Sequence, residues 1–237
     1  MIKKTIRKIF NSFNYSIRKY PNFNYDKVNV FELIMDNYIF RHKDQSFYFI
    51  QVGAHDGLKN DPINRYIKKY NWCGILVEPQ ENIFNKLKIN YKEFSKNLTF
   101  ENIAISPVEN EIELFSSKSG NKSTVASVIK NITKRQLKAD DKELQSVKVK
   151  CMTLNDLINK HGVNKIDLLQ IDTEGYDFEV IKTLDLEKLK PKLIHFEFGH
   201  LSPKECNDVT KYLSLNNYII HWGCLLYTSD AADEEDS

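Results

Sequence analysis

A loop with two glycines four residues apart, Gly53-Ala-His-Asp-Gly57, directly follows the apolar run 47–52. Glycine permits tight turns and lets a ligand approach the backbone closely. Glu78 stands 25 residues after Gly53, at the end of a second apolar run, 74–77. A carboxylate in that place can accept hydrogen bonds from both hydroxyls of a ribose. Together the loop and Glu78 point to an adenosine-containing ligand. The dinucleotide fingerprint G-x-G-x-x-G is not met, because His55 and Leu58 occupy its second and third glycine positions. The next helix signal comes late, at Asp61, whereas a pyrophosphate needs a helix N-terminus beside the loop. A nicotinamide or flavin dinucleotide is therefore disfavoured. The plainer alternative is that the glycines only make a turn and Glu78 only caps a helix.

These residues need a scaffold, and the chain alternates strand and helix signals from about residue 46 to 223. Runs 47–52, 74–77, 98–104, 166–171 and 193–198 read as strands, and 111–115 as an added, alternating one. Asp61-Pro62 reads as an N-cap with proline at the first helical position, and Thr153-x-x-Asp156 and Ser202-Pro203 as further helix starts. Residues 116–127 read as a polar loop, and 218–222 as the last strand. Such alternation predicts an α/β fold, a mostly parallel sheet with helices on both faces. Ligands in such sheets bind beyond the carboxyl ends of the strands. The informative side chains are then those just after each strand, including Asn102, Asp172, Glu174, Glu197 and His200.

The chain has 237 residues, 41% hydrophobic and 28% charged, enough to bury a full core. No run approaches the ~20 apolar residues of a membrane-spanning helix. The formal charge of +2 does not demand a nucleic-acid partner. None of Cys73, Cys151, Cys206 and Cys224 forms a C-x-x-C pair, which argues against a zinc site or disulfide scaffold and fits a reducing cytoplasm. Residues 1–25 carry six basic side chains and no acid, with Ile2, Ile6, Ile9, Phe13 and Ile17 at helical spacing. Two readings stand: an amphipathic helix making weak contact with an anionic membrane surface, or a basic first helix packing on its own domain, which we expect. We accordingly expect a basic helical extension over 1–45 and the main domain over 46–223. From Cys224 the composition changes: Lys, Asn and Ile vanish, and five acids appear without a base. This tail resembles a translated sequencing adapter, so 224–237 is expected to be an artefactual, disordered end of a truncated chain, the alternative being a natural acidic tail.

In order along the chain, Ile50-Gln-Val-Gly-Ala-His-Asp-Gly57, Val77-Glu-Pro79, Asn102-Ile-Ala-Ile105, Thr153-Leu-Asn-Asp-Leu157 and Ile171-Asp-Thr-Glu-Gly-Tyr-Asp177 resemble the FkbM family of S-adenosylmethionine-dependent methyltransferases. The resemblance covers roughly residues 47–199. It implies a class I, Rossmann-like methyltransferase fold acting on hydroxyls of sugars, glycan precursors or related natural products, with S-adenosyl-L-methionine as cofactor. It implies that Gly53, Ala54 and Gly57 line the methionine part, that Glu78, next to Pro79, holds the ribose, and that Asn102 and Ile103 flank the adenine. Asp172 and Glu174 are implied near the methyl donor. Gln51 departs from the acid that many class I enzymes carry there, losing a charge-assisted contact to the cofactor's amino group. The fold normally closes with an antiparallel strand, for which the tail leaves no sequence.

A hydroxyl acceptor must also lose a proton. Candidates are Asp172, Glu174, Glu197 and His200, with His200 the first choice as base and a surface histidine in a turn as its alternative. Asp172 can instead orient a ligand, and Glu174 can brace its loop. His55 either touches the cofactor or fills the loop, and His195 and His221 read as structural. Asp172, Glu197 and His200 have no specific metal spacing, so no metal site is expected. The rival readings are a non-catalytic binding or scaffold protein on the same fold and a nucleotide-binding oxidoreductase, which the loop spacing disfavours.

Overall fold

The computed structural model describes residues 29–42, 46–107, 110–118, 126–138 and 140–221. The basic stretch 1–25 and the tail from Cys224 lie outside them. The chain divides into two units, residues 44–221 and the two ends flanking them. In the end unit, α1 (Val30–Arg41) is capped by Asn29, whose side chain accepts from the Glu32 amide at 3.1 Å. No described helix is long and apolar enough to cross a membrane.

In the larger unit, β1 (Tyr48–Val52), β2 (Cys73–Val77), β3 (Leu98–Glu101), β8 (Leu168–Ile171) and β9 (Leu193–Phe196) form a parallel sheet in the order β3-β2-β1-β8-β9. The inner strands are buried along nearly their whole length because both faces are covered, so alternation is absent, and Gln51 and Gln170 are their buried polar residues. Between and after them lie α2 (Asn64–Tyr70), α3 (Glu81–Asn90), α5 (Leu154–His161), α6 (Asp177–Lys182) and α7 (Pro203–Leu215). Ile50, Val52, Ile75, Val77, Leu169 and Ile171 meet Leu154, Leu157, Val180, Ile181, Val209 and Leu213 in one core. Each such side chain contributes about 1.5–3 kcal/mol of transfer free energy. A second sheet, β4-β7-β5-β6, is built from β4 (Ala104–Ile105), β5 (Asn110–Ser117), β6 (Ala126–Ser127) and β7 (Leu144–Met152), with α4 (Lys130–Leu137) between β6 and β7.

The α/β expectation holds, with local corrections. The expected strand 98–104 is two short strands in different sheets. The expected loop 116–127 contributes Ser116 and Ser117 to β5 and Ala126 and Ser127 to β6, and 119–125 lies outside the described residues. Helix α2 starts at Asn64 rather than beside Asp61, because the Asp61 carboxylate accepts from the amides of Ile63 and Asn64 and turns the chain first. Thr153 and Ser202 are N-caps as expected, each closing a capping box, with Asp156 and Glu205 respectively. Residues 218–221 form no strand: the Tyr218 amide is spent on Leu213 O at the end of α7, its hydroxyl donates to Pro191 O, and Ile219 is exposed. Among the described residues the parallel sheet therefore ends at β9.

Candidate active site

The strand order reverses between β1 and β8, and the carboxyl ends of these neighbours carry Gly53 and Asp172. That is where an open α/β sheet leaves a crevice. A cleft of about 940 Å³, counted out to its open mouth, lies there. Its polar lining includes His55, Glu78, Asp172 and Glu174, and its apolar lining includes Ile103, Leu114 and Val128. Gly53 and Pro79 also line it, as does Lys59 at an exposed position.

The glycine loop is wound around its own hydrogen bonds. The amides of Gly53 and Ala54 both donate to Val77 O, that of His55 to Glu78 Oε2, and that of Gly57 to Ala54 O. Amides used in this way are not free to cradle a pyrophosphate, which agrees with the missing dinucleotide fingerprint. Gly53 has φ +79°, and a Cβ there would lie 1.9 Å from the Asp172 carbonyl oxygen. Its freedom serves the close approach of two strand ends. Gly57 and Ala54 do not line the cleft. Gly57 sits against the Tyr91 ring, which a Cβ would meet at 2.3 Å, and Ala54 is buried. Gln51 is also buried off the cleft, donating to Asp61 Oδ1 while its Oε1 has no hydrogen-bond partner.

Glu78 is only 4% exposed. Its Oε2 accepts from the His55 amide at 3.0 Å and its Oε1 from the Gln80 amide at 2.8 Å, and the Gln80 side chain also hydrogen-bonds the carboxylate, which leaves part of its four-site acceptor capacity for a ligand. Burial pushes its carboxyl up to about 7, against the Gln80 and His55 amides and the Gln80 side chain, which favour the charged form. Asn102 does not line the cleft. Its Nδ2 donates to the carbonyls of Glu78 and Pro79, at 2.8 and 3.1 Å, so it positions the Glu78 segment, while its neighbour Ile103 forms the wall.

The far end is acidic. Asp172 is exposed along the cleft, and among the described residues its carboxylate has no hydrogen bond or ion pair. Enclosure by the protein, then the charges of Glu174 and Asp177, push it up to about 7. Glu174 adopts the left-handed region (φ +53°), a strained conformation for a residue with a side chain. Ser127 Oγ holds its carbonyl at 2.8 Å, and Gln136 Nε2 and His200 Nε2 reach its Oε2. Burial opposes the charge on Glu174, but hydrogen bonds from His200 and Gln136 win and hold its carboxyl below the ordinary value. Burial, then Asp172, raises Glu197 to about 7.

His200 does not line the cleft. Its Nδ1 lies 3.1 Å from the Arg135 guanidinium, and its Nε2 faces Glu174 at 3.2 Å and Glu197 at 3.6 Å. The hydrogen bond to Glu174 raises its pKa, and Arg135 opposes. Arg135 engages Nδ1, and Nε2 is shared between Gln136 Nε2 at 2.8 Å and the Glu174 carboxylate, so both ring nitrogens of the expected base are taken up within this cluster. Glu174, Glu197 and His200, rather than Asp172, Glu197 and His200, bring ligand atoms within 4.8 Å of one another. Hydrogen bonds, and ion pairs when the ring is protonated, hold this trio together. His195 is structural as expected: it bonds Gln170 Oε1 at 2.6 Å, and burial lowers it to about 4.

Sequence reasoning missed the braces of this end. Asp177 is fully buried and accepts from Thr173 Oγ1, the Gly175 amide and the Glu197 amide, tying the β8 loop to the end of β9. Arg135 and Gln136 come from α4, a helix without a clear apolar stripe. Only the second Asp of the Ile171–Asp177 motif was visible as a signal.

A family model for the methyltransferase FkbM domain matches residues 51–220. No curated protein matches the chain. The match takes in most of the chain, including the glycine loop, Glu78 and the acidic end of the cleft, and so the chain belongs to the FkbM methyltransferase family.

Proposed function

We propose that the protein is an S-adenosylmethionine-dependent O-methyltransferase acting on a hydroxyl of a sugar, glycan precursor or related natural product. The observation that carries this reading is Glu78: a buried carboxylate in the cleft at the strand-order reversal, anchored by two amides and the Gln80 side chain and keeping acceptor capacity for a ligand. The residues present suit the cofactor. Glu78 would hold the ribose hydroxyls, Ile103 and Leu114 offer apolar faces for an adenine, and amides committed inside the loop suit a ligand without phosphates. When bound, the cofactor supplies an electrophilic methyl group on a sulfonium. The chain supplies position: Gly53 brings the ends of β1 and β8 together, Asn102 fixes the Glu78 segment, and Asp177 fixes the loop that carries Asp172 and Glu174.

A ligand at 100 times its dissociation constant adds about 2.7 kcal/mol of stability. For a domain of this size that is a rise of roughly 5–10 °C in melting temperature. We expect S-adenosylmethionine to produce such a shift in thermal denaturation and NAD to produce none. A shift with NAD alone would favour the oxidoreductase, and no shift with either would favour the scaffold reading.

A further inference from the structure

We propose that Asp172 is the proton acceptor for the methyl-receiving hydroxyl, and that His200 is a positioning residue held by Arg135 and Gln136. The inference rests on the proposed S-adenosylmethionine dependence. Methyl transfer from a sulfonium to a hydroxyl forms a C–O bond and breaks an S–C bond whose electron pair stays on sulfur. One proton is left over, and one positive charge has vanished from the cleft. A carboxylate that takes this proton keeps the charge of the site constant: sulfonium with carboxylate before, neutral thioether with carboxylic acid after.

Asp172 is the group placed for this. It lines the cleft at the end of β8, against Gly53 of the neighbouring strand, and among the described residues it alone of the cleft-end carboxylates has no hydrogen bond or ion pair. Glu174 is held by Gln136 and His200, Asp177 by Thr173 and two amides, and Glu78 by two amides. His200 has its Nδ1 against Arg135 and its Nε2 against Gln136, Glu174 and Glu197. The charged groups around Asp172 come from every neighbouring element. They are Glu174 and Asp177 from its own loop and α6, Glu197 and His200 after β9, His55 and Lys59 of the loop after β1, Asp61 before α2, Glu78 after β2, and Arg135 of α4 through His200. Most are acidic, so Asp172 is raised into the neutral range, where a cation beside it tips it toward the charged form.

The test needs no acceptor. S-adenosylmethionine and S-adenosylhomocysteine differ by the methyl group and the sulfonium charge, so protonation changes caused by the shared ribose at Glu78 cancel between them. Binding of each is measured by calorimetry near pH 7 in two buffers of different ionisation enthalpy, which counts the protons taken up. The homocysteine complex is expected to hold more protons, by on the order of half a proton for a group titrating near 7. The preference for the sulfonium should rise between pH 6 and 8, about tenfold per unit of pKa difference between the complexes. Both effects should disappear in Asp172→Asn and persist in His200→Gln. Equal proton counts in the wild type, or a difference that survives Asp172→Asn or is lost in His200→Gln, would overturn the assignment. The wild-type pH dependence decides the matter if Asp172→Asn does not fold. Failure of the folded wild type to bind either ligand would instead remove the cofactor reading, and this assignment with it.

Discussion

Gly53→Ala is expected to destabilise the larger unit by at least about 4 kcal/mol, the range reached only by severe mechanisms. The new Cβ would lie 1.9 Å from the Asp172 carbonyl oxygen, and backbone cannot swing aside as a side-chain tip can. Relief would require parting β1 from β8, where the Asp172 amide bonds Val52 O at 2.9 Å. The left-handed φ of +79° adds strain. Gly162→Ala is the control. Gly162 also has positive φ, +60°, but nothing lies within 4 Å of its Cβ position. It should cost only about 1–2 kcal/mol, the strain alone. Urea midpoints of the two variants, compared at equal m-values, check the contrast. Similar losses would mean that the strand ends do not meet as described.

What the sequence made legible follows from how each element is stabilised. Strands β1, β2 and β8 are covered on both faces, so they appear as short apolar runs whatever their partners. Helices α5 and α7 begin with capping boxes, a signal complete within four residues. By contrast α4 buries only Ile132 and Thr133, and the middle of β7 is exposed, Val147 included. β7 is fixed by antiparallel pairing with β5 from Asn110↔Cys151 to Ser117↔Leu144, a long-range match that leaves little local trace. The alternation Val147-Lys-Val-Lys-Cys151 was its one readable sign. The same contrast governs the site. Glu78 and Gly53 were readable because their distance from strand ends is set by the chain itself. The roles of Arg135, Gln136 and Asp177 depend on contacts between segments 20 to 65 residues apart. His200 showed as a histidine after a strand. What its two nitrogens meet depends on Arg135 and Gln136, 65 and 64 positions away.

Glu78→Gln is expected to act on both stability and binding, with opposite dependence on pH. The carboxylate accepts from two amides, so an amide in its place turns its NH₂ toward one of them and leaves a buried donor unpaired, costing about 1–3 kcal/mol. The folded Glu78 titrates near 7 against an ordinary 4.5, because burial disfavours its charge. A carboxyl raised by folding lends stability that is fully present below the unfolded value and lost as pH rises through the folded one. The wild type's advantage over Gln should therefore be largest near pH 4.5 and shrink by on the order of 3 kcal/mol by pH 8. Taking the difference between the two proteins removes the opposing contribution of His195, lowered to about 4, which weakens the fold as pH falls from 6.5. Binding should run the other way. The ionised carboxylate is the better partner for ribose hydroxyls, so the affinity lost with Gln should be greatest near pH 8, about 1.5–3 kcal/mol for a charge-assisted bond. Denaturant midpoints and S-adenosylmethionine calorimetry across pH 5 to 8 test both halves. A stability difference independent of pH would show that Glu78 stays charged throughout. Unchanged affinity would make it a structural clamp for the glycine loop and no part of the ligand site.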